Sequence, residues 1–168
     1  MKKANTKKKQ IGVPGLIVTL VMVLMLGVLF VGATAGWFND TRVKLDAEYV
    51  CGEGCEAGEL MDLTSEEYEE LVAEGKSFVV FVDQSGCTTA DRLREYVTNW
   101  AKMKGVRVYR MMFEEARKTS MHEFVKYYPS VVVVSKGKMV GWLRADADED
   151  ADIYNNYEAF TGWMTRYL

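Results

Sequence analysis

The chain has 168 residues, a formal net charge of −3 at pH 7 and 49% hydrophobic residues with only two prolines, a composition that excludes disorder over most of its length. Five of its 21 basic residues are lysines within the first ten positions, where no acid occurs, so the other residues hold 16 bases against 24 acids, a net of −8. An acidic body of this kind excludes a nucleic-acid-binding protein that depends on phosphate contacts.

The first predicted element is a single membrane-spanning helix. No charged residue occurs between Gln10 and Asn39, and residues 11–30 are almost continuously apolar. At a rise of about 1.5 Å per residue, such a helix crosses a hydrocarbon core of about 30 Å. The lysines that precede it predict a basic cytoplasmic tail (1–10), an anchor (11–36) and a body outside the cytoplasm. The alternative is a signal peptide, for which Ala33-Thr34-Ala35 fits the cleavage pattern. Both place the body outside the cytoplasm, and the first places it at the cell membrane.

Residues 37–57 lack a clear period and predict an extracytoplasmic stalk. The stalk holds Cys51 and Cys55, bracketed by glycines that permit the tight turn of a short-loop disulfide. With Cys87 the cysteine count is three, which leaves one thiol over in an oxidising compartment. Two interpretations stay open. Cys51 and Cys55 form a structural clip, or one of them acts on Cys87 as a tethered resolving thiol at high effective concentration.

The body, residues 58–168, alternates predicted strands and helices. Thr64 and Glu67 form a capping box that starts a helix ending at Gly75. The apolar, β-branched run 78–82 predicts a strand buried on both faces, and Thr88 and Thr89 can cap the long helix that follows. The other predicted elements are a first strand at 59–63, a strand at 106–112, a helix opened by a second capping box at Ser120 and Glu123 and ended by Pro129, an antiparallel hairpin over 130–143, and a last helix from about Asp152.

Three of these features have the spacing of one known family: the capped first helix, the strand 78–82 that leads to Ser85-Gly86-Cys87, and Tyr128-Pro129 before the strand 130–134. In these three features the body resembles a thioredoxin. The resemblance implies an α/β, thioredoxin-like fold of order βαβαβαββα, with a central mixed sheet flanked by helices. It also implies a cis peptide bond before Pro129, catalytic roles for Cys87 and Pro129, and substrate contacts by Tyr128, Gly86 and Thr88.

The family motif is degenerate in this chain. Where the family has Cys-x-x-Cys, the sequence reads Cys87-Thr88-Thr89-Ala90, so Ala90 stands at the position of the resolving cysteine. Phe81 stands where the family has a buried acid that moves a proton to that cysteine. The loss of the second cysteine together with the buried acid is chemically coherent, because an isolated buried carboxylate costs free energy when it is ionised. Cys87 still lies at a helix N-terminus, where free amides and the helix dipole favour a thiolate.

No metal and no cofactor are predicted. Cys51, Cys55 and Cys87 would need His122, the only histidine, to complete a zinc set, but they lack the paired spacing of zinc ligands. We expect His122 to face solvent on its helix. The acidic run 146–152 lacks the glycine and glutamate of a calcium loop and predicts a solvated cluster at the start of the last helix.

The leading functional interpretation is thiol–disulfide exchange on exported proteins through Cys87, as a membrane-tethered reductase or isomerase helper of the monothiol type. Its partners would be exported proteins or a membrane redox partner. The alternative is a non-catalytic module that holds a partner through the cis-proline groove and an aromatic rim, or a structural subunit of a membrane assembly. Whether the protein is an enzyme, its substrate and its oligomeric state stay open at this level.

Overall fold

A computed structural model describes residues 21–23, 42–51 and 58–168, and the chain divides into two units, Met1–Thr41 and Arg42–Leu168. Of the predicted anchor only residues 21–23 are described, and they are helical and exposed. Cys55 also lies outside the described residues. Among the helices that are described, none is both long and apolar enough to cross a membrane. The membrane anchor therefore stays a prediction.

The described part of the second unit contains five strands and four α-helices. They are β1 (Leu60–Asp62), α1 (Ser65–Ala73), β2 (Phe78–Asp83), α2 (Thr88–Lys104), β3 (Val108–Met112), α3 (Phe113–Ala116), β4 (Ser130–Ser135), β5 (Lys138–Trp142) and α4 (Tyr157–Thr165), with short 3-10 helices at Ala47–Tyr49, Ser120–Glu123 and Asp148–Asp150. The five strands and the helices α1, α2 and α4 follow the predicted α/β succession, whereas the third helix is not the predicted one.

The five strands form one mixed sheet in the order β1-β3-β2-β4-β5. Strand β2 lies at its centre, parallel to β3 and antiparallel to β4. All six residues of β2 are buried, because apolar clusters cover both faces of the sheet. One cluster contains Trp100 and Phe160, and the other contains Tyr68 and Met121. The strand that leads to Cys87 is therefore held from both sides.

The predicted capping box at the start of α1 is confirmed. The Thr64 hydroxyl accepts the N–H of Glu67, and the Glu67 carboxylate accepts the N–H of Thr64. The chain leaves the helix through Gly75, whose φ of 73° lies in the left-handed region. Local sequence alone is enough to define both ends of this helix.

The helix predicted from Ser120 to Pro129 is wrong. Only the 3-10 turn Ser120–Glu123 forms, because the N–H and hydroxyl of Ser120 donate to the carboxylate of Glu69 in α1. This tertiary contact replaces the expected capping box. Phe124, which the helix would have turned inward, is 56% exposed. The short helix α3 lies directly after β3 and is not predicted by the sequence.

The last helix begins later than predicted. Asn156 caps α4, since its side-chain oxygen accepts the N–H groups of Glu158 and Ala159. The acidic run that precedes it therefore does not start the helix, which corrects that prediction. Within the run, the Asp150 carboxylate instead accepts the backbone N–H and the Nε–H of Arg144.

Residues 42–51, predicted as part of a stalk, pack against the domain. Tyr49 is buried, and its hydroxyl lies 3.0 Å from that of Tyr109. The Asp46 carboxylate accepts the N–H of Ser77, and the Asp46 N–H donates to the Ser77 carbonyl. The stalk interpretation is wrong for these residues. Their contacts are with distant parts of the chain, and such contacts leave no regular period in the local sequence.

Glu115 should make the fold sensitive to acid, since its carboxylate pairs with Lys118 and accepts the N–H and Oγ–H of Ser65 at the start of α1. These partners, Lys118 first, lower the pKa of Glu115 from 4.5 to about 2. A carboxyl whose pKa is lowered on folding stabilises the protein above its unfolded pKa, and the contribution disappears as the pH falls through the folded pKa. Glu115→Gln should therefore lower Tm most near neutral pH, and the difference from wild type should vanish towards about pH 2.

Thermal melting followed by circular dichroism across this pH range measures the effect. The exposed neighbour Glu114 provides the matched control, because Glu114→Gln removes one negative charge from the same helix without touching Ser65 or Lys118. A constant Tm difference between Glu115→Gln and wild type from neutral to acidic pH would contradict the expectation.

Candidate functional site

Cys87 occupies the N-cap position of α2. Strand β2 ends at Asp83, and a tight turn follows in which the N–H of Cys87 donates to the Gln84 carbonyl at 3.4 Å. The Cys87 carbonyl then accepts the N–H of Asp91 at 3.0 Å, the first bond of the helix. Gly86 has a φ of 73° in this turn, a conformation that a β-carbon disfavours. The glycine thus shapes the turn that places the cysteine at the helix start.

The Cys87 thiol is free and partly exposed. No side chain caps the first turn of α2, so Thr88 and Thr89 are its first residues and not its caps, which corrects that prediction. The left-handed Gly86 starts the helix one residue earlier than a threonine cap would. Ala90, at the position of the family's second cysteine, is fully buried. Uncapped amides at a helix N-terminus are in general groups that stabilise a thiolate.

The Tyr128–Pro129 peptide bond is cis and lies at the same edge of the sheet as the Cys87 turn. Strands β2 and β4 pair Val82 with Ser130. The residues just beyond this pair, Asp83 and Pro129, therefore lie side by side. The predicted residues thus lie in two segments next to these neighbouring strand ends, with Gly86, Cys87 and Thr88 after β2 and Tyr128 and Pro129 before β4.

Hydrogen bonds hold the cis-proline loop in place. The Pro129 carbonyl accepts the hydroxyl of Tyr154 at 2.9 Å, within the core. The hydroxyl of Ser130, the next residue, donates to the Leu143 carbonyl at 2.7 Å. Burial raises the pKa of Tyr154, which keeps this side chain protonated and able to donate. The cis-proline loop is thus held by hydrogen bonds to two other parts of the chain.

Tyr128 and His122 form a small network beside this loop. The Tyr128 hydroxyl donates to the Val125 carbonyl at 3.0 Å and lies 3.1 Å from Nδ1 of His122. Burial raises the pKa of Tyr128, and the nearby Arg117 guanidinium partly opposes this shift. His122, predicted to face solvent, is instead half-buried, because the 3-10 turn Ser120–Glu123 directs it towards Tyr128.

Asp83 and Arg94 are part of this region, although the sequence reasoning missed them. The buried carboxylate of Asp83 accepts Nε–H and Nη2–H of Arg94, at 3.0 and 2.7 Å. The pair joins the end of β2 to the second turn of α2 and so braces the turn that carries Cys87. The available signal was an acid at the end of an apolar strand, eleven residues before a helical arginine. Phe81, at the family's acidic position, is fully buried.

Cys51 lies at the opposite end of α2 and is disulfide-bonded. Its N–H donates to the carbonyl of Gly105, the C-cap of the helix, whereas Cys87 is the N-cap. The helix has 17 residues and is about 25 Å long. A relay from Cys51 to Cys87 would therefore require residues 42–51 to leave the domain. A local pairing of Cys51 with Cys55 fits the free state of Cys87.

The described parts of the chain contain no group of three or more His, Cys, Asp or Glu side chains that could hold a metal ion.

The sequence matches no family of known proteins and no curated protein. The fold does match solved structures. One, titled as the structural basis of the thiol resolving mechanism in yeast mitochondrial 1-Cys peroxiredoxin via glutathione/thioredoxin systems, has a TM-score of 0.50 at 15% identity, over 66% of this chain and 98% of that chain. Another is a single-site mutant of thioredoxin from Halobacterium salinarum NRC-1, with a TM-score of 0.45 at 18% identity, over 64% of this chain and 95% of that chain. A third is reduced Schistosoma mansoni thioredoxin pre-protein, with a TM-score of 0.47 at 14% identity, over 66% of this chain and 99% of that chain.

The strand order and the yeast structure together decide the fold. This chain has a thioredoxin-like domain. At these identities the likeness establishes the fold and leaves the activity open. In the thioredoxin-like domain, the free Cys87 thiol and the cis-proline loop are the elements from which a function has to be argued.

Proposed function

We propose that the protein carries out thiol–disulfide exchange through Cys87, acting on exported proteins from a membrane tether. The observation that carries the proposal is the position of the free thiol, which is partly exposed at the uncapped start of a 17-residue helix. It follows a strand whose last pair with β4 lies next to the cis-proline bond. Amides at a helix N-terminus in general favour a cysteine thiolate, and the thiolate is the nucleophile of disulfide exchange.

The first chemical step needs no other residue of the protein. The Cys87 thiolate attacks one sulfur of a client disulfide, the sulfur–sulfur bond breaks, and the other client sulfur leaves as a thiolate. The product is a mixed disulfide between Cys87 and the client. Because Ala90 has no thiol, the neighbouring position cannot expel the client as a second cysteine would.

A second thiol must therefore resolve the mixed disulfide. If it belongs to the client, Cys87 is released, the client disulfide is rearranged, and no net electrons are transferred. If two molecules of a small external thiol act in turn, the client disulfide is reduced to two thiols and the small thiols become one disulfide. The protein is then a monothiol isomerase or reductase helper, and the resolving thiol sets the direction.

The proposed tether and location rest on the first 36 residues. The basic tail 1–10 and the apolar segment 11–36 favour an anchor whose N-terminus is cytoplasmic. The acidic body then lies outside the cytoplasm, where exported proteins acquire disulfides. A disulfide at Cys51 is consistent with an oxidising compartment.

The second candidate is a non-catalytic binding module. It is favoured by aromatic side chains near the cis-proline loop, since Phe124 and Tyr127 are 56% and 57% exposed and the Phe124 ring lies 5.8 Å from that of Trp142. In this case Cys87 would be dispensable for partner binding.

The test uses the full-length chain in a nonionic detergent with a secreted model protein that contains scrambled disulfides. We expect the wild type to form a mixed disulfide through Cys87 and, with a small thiol present, to restore native disulfides. Cys87→Ser should reduce this rate at least about 100-fold, to the uncatalysed level. The double variant Cys51→Ser, Cys55→Ser is the matched control and should keep the rate, because Cys51 lies at the far end of α2. Equal rates for Cys87→Ser and wild type would reject the redox function and favour the binding module.

A further inference from the structure

A groove lies beside the cis-proline loop, with a volume of about 390 Å³, in the size range of sites that hold ligands. Its lining residues come from α3 and its C-cap, the 3-10 turn Ser120–Glu123 and the segment before β4, and they include Phe113, Arg117, His122, Lys126, Tyr127 and Tyr128. The rings of Phe113 and Tyr128 lie 6.0 Å apart. The groove thus combines an aromatic floor with basic side chains, and we call it the basic groove.

The charge of the basic groove is opposite to that of the protein body. Its lining includes Arg117 and Lys126 but no carboxylate, whereas residues 11–168 carry a net charge of −8. Within residues 42–51 and 58–168, neither Arg117 nor Lys126 forms an ion pair, although other basic residues of the domain do. Both side chains are exposed. Two cations without a carboxylate partner in this part of an acidic protein are complementary to an acidic ligand.

The basic groove also adjoins the Cys87 turn. Gln84 completes its lining, and the Gln84 carbonyl accepts the N–H of Cys87. Tyr128 lines the groove from the other side and precedes Pro129 in the cis-proline loop. Three residues of extended chain span about 10 Å. A client segment bonded to Cys87 through its own cysteine would therefore reach about this far from the thiol with residues two to four positions away.

We propose that the basic groove selects clients in which acidic residues lie two to four positions from the reacting cysteine. This selectivity rests on the proposed exchange function and adds the class of substrate to it. The acidic side chains would lie between Arg117 and Lys126, and the aromatic floor would contact the adjacent apolar part of the client chain. Electrostatic complementarity of this kind mainly increases the rate of association.

The experiment compares two synthetic peptides on the full-length chain. Both carry one cysteine as a mixed disulfide with an aromatic thiol, and they differ only in having two glutamates or two glutamines at the second and third positions from it. Attack by the Cys87 thiolate on the peptide sulfur releases the coloured aromatic thiolate, so absorbance reports the second-order rate. We expect the glutamate peptide to react about 10-fold faster at low salt, with the ratio falling as added salt screens the charges.

Charge reversal provides the decisive comparison. The double variant Arg117→Glu, Lys126→Glu should bring the ratio of glutamate to glutamine rates to one or below. The control Lys136→Glu, Lys138→Glu changes the net charge equally at the β4–β5 turn, at the other end of β4 from the cis-proline loop, and should keep the wild-type ratio. Equal rates for the two peptides on the wild type would overturn the selectivity while leaving exchange through Cys87 intact.

Failure of the exchange function gives a different result. Neither peptide would then release the aromatic thiolate, and the selectivity would be judged from the anisotropy of labelled peptides with serine in place of cysteine. Tighter binding of the glutamate peptide, lost on charge reversal, would still support an acidic ligand for the basic groove. Equal binding of both peptides would overturn it.

Discussion

Arg94→Met should lower the free energy of unfolding by about 3 kcal/mol, because it leaves the buried Asp83 carboxylate without its charge partner. The Asp83 side chain is only 4% exposed, whereas that of Arg94 is 33% exposed. Methionine keeps the aliphatic packing of the arginine side chain but leaves the Asp83 carboxylate as an uncompensated charge at the end of β2. Urea unfolding of the full-length chain measures the difference. The comparison requires that the unfolding free energy fall with urea concentration at the same slope in all variants.

Two comparisons isolate the buried pair. Arg94 also bonds the exposed carboxylate of Asp91, so Asp91→Asn is the matched control and should cost at most about 1 kcal/mol. Adding Asp83→Asn to Arg94→Met should recover part of the loss, since the double variant no longer buries a charge. If Arg94→Met and Asp91→Asn had the same small effect, the brace between β2 and α2 would not stabilise the fold.

Gly137→Ala should destabilise the domain by about 3 kcal/mol or more, because the added β-carbon is disfavoured by the left-handed backbone and overlaps neighbouring atoms. Gly137 lies in the turn between β4 and β5 with a φ of 70°, and its N–H donates to the Lys76 carbonyl. A β-carbon there would overlap the carbonyl oxygen of Val72 and lie 3.2 Å from the α-carbon of Gly75. Since the opposing atoms are backbone, no side-chain rotation can relieve the overlap.

Gly75→Ala separates the two contributions. Gly75 has nearly the same conformation, with a φ of 73°, but an added β-carbon there would meet no other part of the domain within 4 Å. This variant should cost only the backbone contribution, about 1–2 kcal/mol. Equal losses for Gly75→Ala and Gly137→Ala in chemical unfolding would show that the hairpin turn does not pack tightly against the end of α1.

Elements defined by neighbouring residues were predictable from the sequence. The capping box of Thr64 and Glu67 needs residues three positions apart, and the hairpin turn needs only Lys136 and Gly137. Both formed as expected. The second capping box failed because the partner of Ser120 is Glu69, 51 residues away. No local pattern contains that contact, and the same reason explains the missed packing of residues 42–51.

The residues of the candidate site also divide into those that the sequence predicted and those that it did not. The positions of Cys87 and Pro129 followed from the spacing of a known family, so their places next to the ends of neighbouring strands could be expected. Arg117 and Lys126 gave no signal, because they lie on elements that the sequence did not predict correctly. The Asp83–Arg94 pair was missed because a strand residue and a helix residue become neighbours only when the chain folds.

The most direct test of the account is the alkylation rate of Cys87 in the full-length chain, folded and unfolded in urea without a reductant. Mass spectrometry of the peptide that contains Cys87 follows its reaction with iodoacetamide at neutral pH, while the Cys51 disulfide stays closed. The account predicts that the folded chain reacts at least about 10-fold faster, because a partly exposed thiol at an uncapped helix start is expected to be more reactive than one in an unfolded chain. A folded-state rate equal to or below that of the unfolded chain would contradict it.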